Sequence, residues 1–217
     1  PRDAVVEAKE LVVIDLMSLS HKDGFWALCV VDKATDDMCL CFCSSKKEEV
    51  VFDEYYFRWC SLRGWTRCVL SDQAKEFIGE YFMQSMQAYG TGVLVSGAGH
   101  PQGHSIVERK FRTVRWALER ELAAGKVPRT EREWRYFLCA LENCMRNHML
   151  KGGYSSSQRA WGRGTSLLRT ALDDNEGTAT LPEGLGIARL IEVQENAREA
   201  FLKAVNSRKL RKLLTQT

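Results

Sequence analysis

The run Leu11-Val-Val-Ile-Asp-Leu-Met17 restricts the fold more than any other stretch of the 217-residue chain. Its β-branched, apolar residues suit a short buried strand, yet Asp15 interrupts it. A carboxylate inside a central strand is costly unless it is paired or binds a cation. Two readings stay open on position alone: an aspartate at a strand end capping the next loop, or a metal ligand.

Two further segments end on or carry an acid. Cys68-Val-Leu-Ser is an apolar run that stops on Asp72, and His100-Pro-Gln-Gly-His-Ser-Ile-Val leads into Glu108, with 35 residues between the two acids. Around them the pattern alternates between strands and helices. Asp23-Gly24 marks a turn, Phe25–Val31 and Met38–Cys43 read as strands, and Asp36-Asp37 lies at the turn between them. Ser45-Lys-Lys-Glu48 predicts a capping box opening a helix through about Leu62 that Gly64 stops. Trp65–Leu70 predicts a fourth strand, Glu76–Tyr89 a helix and Thr91–Val95 a fifth strand. The loop Ser96–Gly103 holds three glycines in eight residues and fits a place where a ligand approaches closely. His104–Ala124 predicts a long helix. Thr130-Glu-Arg-Glu133 predicts a capping box for another, with Trp134, Phe137, Leu138, Leu141 and Met145 on its apolar stripe. The order β-β-β-α-β-α-β-α-α is mixed α/β, antiparallel first and parallel after.

Composition adds boundaries rather than identity. Hydrophobic residues at 45% and charged residues at 27% allow a real core, and a net charge of +3 does not by itself announce a nucleic-acid partner. No apolar run approaches a membrane span and Pro1–Glu10 is no signal peptide, so the expectation is a soluble intracellular protein, with Pro1–Glu10 a lead-in from a longer polypeptide. None of the eight cysteines forms Cys-x-x-Cys, and Cys39, Cys41 and Cys43 alternate as packed strand residues do. They read as reduced core filler rather than a zinc site. Ser166–Gly186 is acidic and glycine-rich, with Asp173, Asp174, Glu176 and Glu183 against Arg169, and reads as a linker. Ile187–Leu214 predicts a last amphipathic helix with basic residues gathered at Arg208-Lys-Leu-Arg-Lys212. The expected organisation is a domain over 1–165, a linker over 166–186 and a basic helix over 187–217.

Asp15, Asp72 and Glu108 come from separate elements and would converge if the first and fourth strands are neighbours. Hard divalent cations prefer such oxygen ligands. Two of them about 4 Å apart can activate an attacking hydroxyl and stabilise a leaving oxygen in phosphodiester chemistry. Three clustered acids without a cation would repel one another. Arg112 and Arg115 follow Glu108 at i+4 and i+7, on its face of the helix, an arrangement suited to a phosphate backbone lying across a metal site. The competing reading makes Arg109, Lys110, Arg112 and Arg115 a solvated helix face. Serine or cysteine nucleophile readings are weak, because Gly-x-Ser-x-Gly is missing and His100 and His104 lie near no cysteine in sequence.

Taken jointly, Ile14-Asp15-Leu16, Leu70-Ser71-Asp72-Gln73 with Glu76-Phe77, His100-Pro101-Gln102 and Val107-Glu108-Arg109 resemble the integrase catalytic core of retroviruses and LTR retrotransposons. Val30-Val-Asp-Lys33 resembles that family's second strand. Gly153-Tyr-Ser-Ser-Ser-Gln158 with Trp161-Gly162-Arg163 looks like the closing segment of Gypsy-type retrotransposon integrases. The resemblance runs from about Leu11 to Gly164. It implies an RNase H-like fold, a five-stranded mixed sheet flanked by helices, here followed by a linker and a C-terminal helix. It also implies a polynucleotidyl transferase that trims the 3′ ends of element DNA and joins them to host DNA in the nucleus. Asp15, Asp72 and Glu108 would hold two Mg2+ ions, which Mn2+ can replace. Gln102 and His104 would lie in the active-site loop, and Arg109, Arg112 and Arg115 would contact DNA. A homo-oligomer on paired DNA ends is implied, without a membrane.

The chain departs from the pattern at Gln73 (usually Asn), Ala74 (usually Gly), His104-Ser105 (usually Asn-Gly) and Ser156 (often Pro), all in or beside loops. Two other readings share these residues: a non-catalytic descendant that keeps the fold for DNA binding or assembly, and a cut-and-paste transposase.

Overall fold

The computed structural model of the chain describes residues 7–20, 23–96, 105–148, 154–161, 192–194, 196–203 and 205–206. It forms two compact units that meet at Val114 and Arg115. The predicted linker over 166–186 and the basic run at 208–212 lie outside the described residues.

The first unit is built on one sheet. β1 (Leu11–Ser20), β2 (Phe25–Asp32) and β3 (Met38–Cys43) form an antiparallel meander. β4 (Cys68–Ser71) joins β1 in parallel and β5 (Gly92–Val95) joins β4 in parallel, giving the order β3-β2-β1-β4-β5. The mixed five-stranded sheet expected from the sequence is therefore present, and its first and fourth strands are neighbours. β1 runs three residues beyond the predicted Met17, because β2 supplies partners as far as Ser20. β4 starts later than the predicted Trp65, at the point where Leu11 gives Cys68 a partner.

Both faces of the sheet are buried, as continuous apolar strands require. Val12, Ile14, Leu28, Val30, Cys39, Cys41 and Cys43 pack on one face with Val51, Tyr55, Trp59, Phe77, Phe82 and Met86. Val13, Met17, Cys29, Val31 and Leu40 alternate onto the other and are as fully enclosed.

Three local expectations need correction. The helix after β3 is α1 (Glu48–Tyr55), which passes through one wide π turn over Tyr56–Cys60 into α2 (Ser61–Arg63) and ends at Gly64, whose φ is 81°. Its N-cap is Lys47 without a side-chain cap bond, and the Ser45 hydroxyl accepts from Lys47 N at 3.3 Å. The predicted capping box fails because Glu48 is used elsewhere. The predicted helix over Glu76–Tyr89 is two pieces, α3 (Lys75–Ile78) and α4 (Glu80–Ala88), broken at Gly79. Glu48 Oε2 accepts from the α4 amides of Tyr81 at 3.0 Å and Phe82 at 3.4 Å, so α1 caps α4 across 33 residues of sequence. Gly79 has an ordinary extended backbone, and its missing Cβ is what leaves room for that carboxylate. Phe77, Phe82 and Met86 are buried along these two pieces, while Tyr81 is exposed.

α5 (Ser105–Ala123) crosses from the first unit into the second. The second unit also holds α6 (Glu131–Asn147), α7 (Ser156–Trp161) and helical residues at 192–194, 196–203 and 205–206. Thr130 caps α6 as predicted, accepting from Glu133 N at 3.2 Å, and Glu133 reaches back to Arg129 N at 2.8 Å. The predicted stripe from Trp134 to Met145 is buried. In the last helix Ala197 and Phe201 are buried, and Ile187, Leu190, Ile191 and Ala204 lie outside the described residues.

Candidate active site

The parallel register of β1 and β4 is Leu11 to Cys68, Val12 to Val69 and Val13 to Leu70. Two residues further along each chain stand Asp15 and Asp72, so the register carries the two aspartates to neighbouring backbone positions where β4 ends. β1 continues to Ser20 against β2 alone, leaving a step in the sheet bordered by the two carboxylates. β5 reaches the same edge: Ser71 pairs with Val95, and Ser96 N donates to Ser71 O at 2.9 Å. In α/β sheets the carboxyl ends of parallel strands are where ligands gather.

Each aspartate is held by a local amide. Asp15 Oδ1 accepts from Leu16 N at 2.7 Å, and Asp72 Oδ1 accepts from Ala74 N at 3.0 Å. The second bond closes an Asx turn that aims the carboxylate off the strand end. Both residues are part-exposed. Ala74 lies at φ −66° and ψ 142°, conformations open to any residue, so alanine in place of the usual glycine strains nothing. Beside them, Glu76 is buried and meets Lys46 Nζ at 3.3 Å.

Glu108 sits in the first turn of α5 and is exposed, as are Arg109, Arg112 and Arg115, while Val107, Phe111 and Val114 are buried. The helix face expected for Glu108, Arg112 and Arg115 is therefore the outward one. The β1–β4 register brings Asp15 and Asp72 to neighbouring positions at one sheet edge, and Glu108 stands on the exposed face of α5. Among the described residues, no three His, Cys, Asp or Glu side chains form a group that could hold a metal ion. Gln102 and His104 lie outside the described residues. As to fit, two carboxylates on adjacent strand positions are the oxygen donors a hard cation takes. A third ligand would come from Glu108 on α5.

The competing reading of a solvated face over Arg109, Lys110, Arg112 and Arg115 does not hold at Lys110. Lys110 is part-buried, and its Nζ meets Asp36 Oδ2 at 2.7 Å. It falls within the Val107–Phe111–Val114 stripe, a position that marks it as inward-facing. Ser155 and Gln158 form a capping pair that sequence reasoning missed, in which Ser155 N donates to Gln158 Oε1 at 2.8 Å and Gln158 N donates to Ser155 Oγ at 3.2 Å. Ser156, where proline is common, donates its hydroxyl to the Arg146 carbonyl at 3.0 Å.

Burial pushes the Cys60 thiol up from about 9 to about 12, and burial raises the Tyr55 phenol well above its usual value. Neither group belongs to the acid edge; both are core chemistry. No described helix is long and apolar enough to cross a membrane.

No family model matches the sequence, and no curated protein matches it. Solved structures do match. A chain of the simian T-cell lymphotropic virus intasome, solved in complex with PP2A regulatory subunit B56 gamma, aligns with a TM-score of 0.61 at 9% identity over 84% of this chain. The match spans 63% of that longer chain. The HTLV-2 integrase catalytic core domain in complex with magnesium aligns in its dimeric form with a TM-score of 0.59 at 11% identity, over 72% of this chain and 99% of that one. Its trimeric form gives 0.56 at 14% identity, over 70% and 96%. With the strand order and the flanking helices, these matches identify the fold as the RNase H-like fold of retroviral integrase catalytic cores.

Proposed function

We propose that the chain is the catalytic core of a retroelement integrase, closest to the Gypsy type. In this reading it is a metal-dependent polynucleotidyl transferase that trims element 3′ ends and joins them to host DNA. The observation that carries the reading is the β1–β4 register, which sets Asp15 opposite Asp72 at the open edge of an integrase-type sheet. Asp15 and Asp72 form the fixed half of the site and Glu108 the half delivered from α5. Magnesium, or manganese in its place, would lower the barrier by activating the attacking hydroxyl and stabilising the leaving oxygen. Arg109, Arg112 and Arg115 contact DNA phosphates, and Gln102 and His104 meet the substrate from the Gly-rich loop. Paired DNA ends call for a homo-oligomer, and joining to host DNA places its action in the nucleus. The HTLV-2 cores were solved with magnesium as dimer and trimer, which supports the cation and the oligomer by likeness of fold.

The test is an oligonucleotide strand-transfer or disintegration assay with Mg2+ or Mn2+. Asp72→Asn reduces product to background, and activity that survives the substitution refutes the assignment. A second reading, a non-catalytic DNA-binding or assembly module, draws on the finding that no three His, Cys, Asp or Glu side chains among the described residues form a group that could hold a metal ion. A parent chain that binds DNA but no divalent ion favours it.

A further inference from the structure

The first two turns of α5 are anchored in two ways. Val107, Phe111 and Val114 are buried, but apolar contact is non-directional and leaves a helix free to rotate or slide slightly. The Lys110–Asp36 ion pair is directional. Its atoms are 2.7 Å apart and its side chains are only 12% and 18% exposed, so water screens it less than a surface pair.

Asp36 is itself a rigid anchor. It stands in the β2–β3 turn with φ 62°, and its amide donates to the Asp32 carbonyl at 2.9 Å. Asp32 in turn accepts from the Thr35 hydroxyl at 2.7 Å, and Asp37 is locked to Arg63 at 2.9 Å. The left-handed backbone that aspartate tolerates better than most residues presents its carboxylate to α5.

Lys110 follows Glu108 by two residues, about 200° around the helix and about 3 Å along it. The inward lysine and the outward glutamate therefore lie on opposite sides of one short rigid segment. A rotation of about 20° would carry a carboxylate some 6 Å from the helix axis through about 2 Å. Displacements of that size are costly at a reacting centre.

We infer that Lys110, through its ion pair with Asp36, is a positioning residue for Glu108. It fixes the phase and height of α5, and with them the direction in which Glu108 leaves the helix. This inference rests on the reading of those three acids as cation ligands.

The experiment measures Mn2+ affinity of the full chain by titration calorimetry, with thermal melts confirming that each variant is folded. Lys110→Met weakens Mn2+ binding about ten-fold, as loss of an outer support does at other metal sites, and Lys110→Arg retains near-parent affinity. In a Glu108→Gln background, Lys110→Met produces no further loss, because the group it positions is already gone. Parent-like affinity in Lys110→Met, or an equal further loss in the Glu108→Gln background, overturns the inference while leaving the acid assignment standing. Absence of saturable Mn2+ binding by the parent chain overturns the assignment and the inference with it.

Discussion

Gly79→Ala is expected to change sign with its partner. A methyl group at position 79 would collide first with the carboxylate of Glu48. That carboxylate is the end of a flexible side chain, so the backbone need not move; the side chain swings away and the α4 amides of Tyr81 and Phe82 lose their acceptor. Loss of an N-terminal cap costs about 1 kcal/mol, and loss of a negative charge at a helix N-terminus costs about 0.5 kcal/mol more at a part-exposed site. Against this, alanine fits the extended backbone at φ −67° and ψ 158° and restricts the unfolded chain, a gain of about 0.4–1 kcal/mol. The net in the parent protein is destabilisation by about 0.5–1 kcal/mol. In a Glu48→Ala background the collision is gone, and the same substitution stabilises by about 0.4–1 kcal/mol. Urea unfolding of the four proteins yields the coupling directly. Equal effects of Gly79→Ala in both backgrounds would refute the claim that this glycine exists to admit a carboxylate.

Two further outcomes concern the core. Arg63 and Asp37 are almost fully enclosed, and the guanidinium also donates to the carbonyls of Arg58 and Met38, each at 3.2 Å. Asp37→Ala strands that charge and costs about 3–5 kcal/mol in chemical denaturation, whereas Asp37→Leu combined with Arg63→Leu costs less than the single change. The Cys60 thiol, raised to about 12 by burial, holds its proton in the folded chain long after the unfolded chain has lost it. Its contribution to stability is therefore intact below about pH 9 and is lost between about 9 and about 12 as the unfolded state ionises. Cys60→Ala flattens the alkaline arm of a stability–pH profile measured by urea midpoints. An unchanged slope would show that the thiol does not titrate there.

The sheet was legible because its evidence is local. Runs such as Phe25–Val31 and Met38–Cys43 are too apolar and too short for anything but buried strands, and Asp15 and Asp72 were placed by assuming that the first and fourth strands adjoin. What escaped was decided across sequence. Ser45 and Glu48 have the spacing of a capping box, but amides 33 residues away offer Glu48 a better use. The break at Gly79 follows from that same bond. Lys110 was read with its charged neighbours, although its place in the apolar stripe pointed inward; its partner lies 74 residues earlier. Glu108 shows the opposite limit, since spacing assigns it a role while its place relative to Asp15 and Asp72 depends on where a helix lies, which no local pattern encodes.

The wide turn over Tyr56–Cys60 has a consequence for chain length. Removing a residue from a regular helix turns everything beyond it by about 100°, which would drag Arg63 out of the interior and away from Asp37. A π turn instead absorbs one surplus residue, so the stretches on either side keep the phase of an uninterrupted helix. The fold thus counts this segment as one residue shorter than the sequence spells it. It is a seam where an insertion has a place to sit, while Tyr55 before it and Arg63 after it hold their stations.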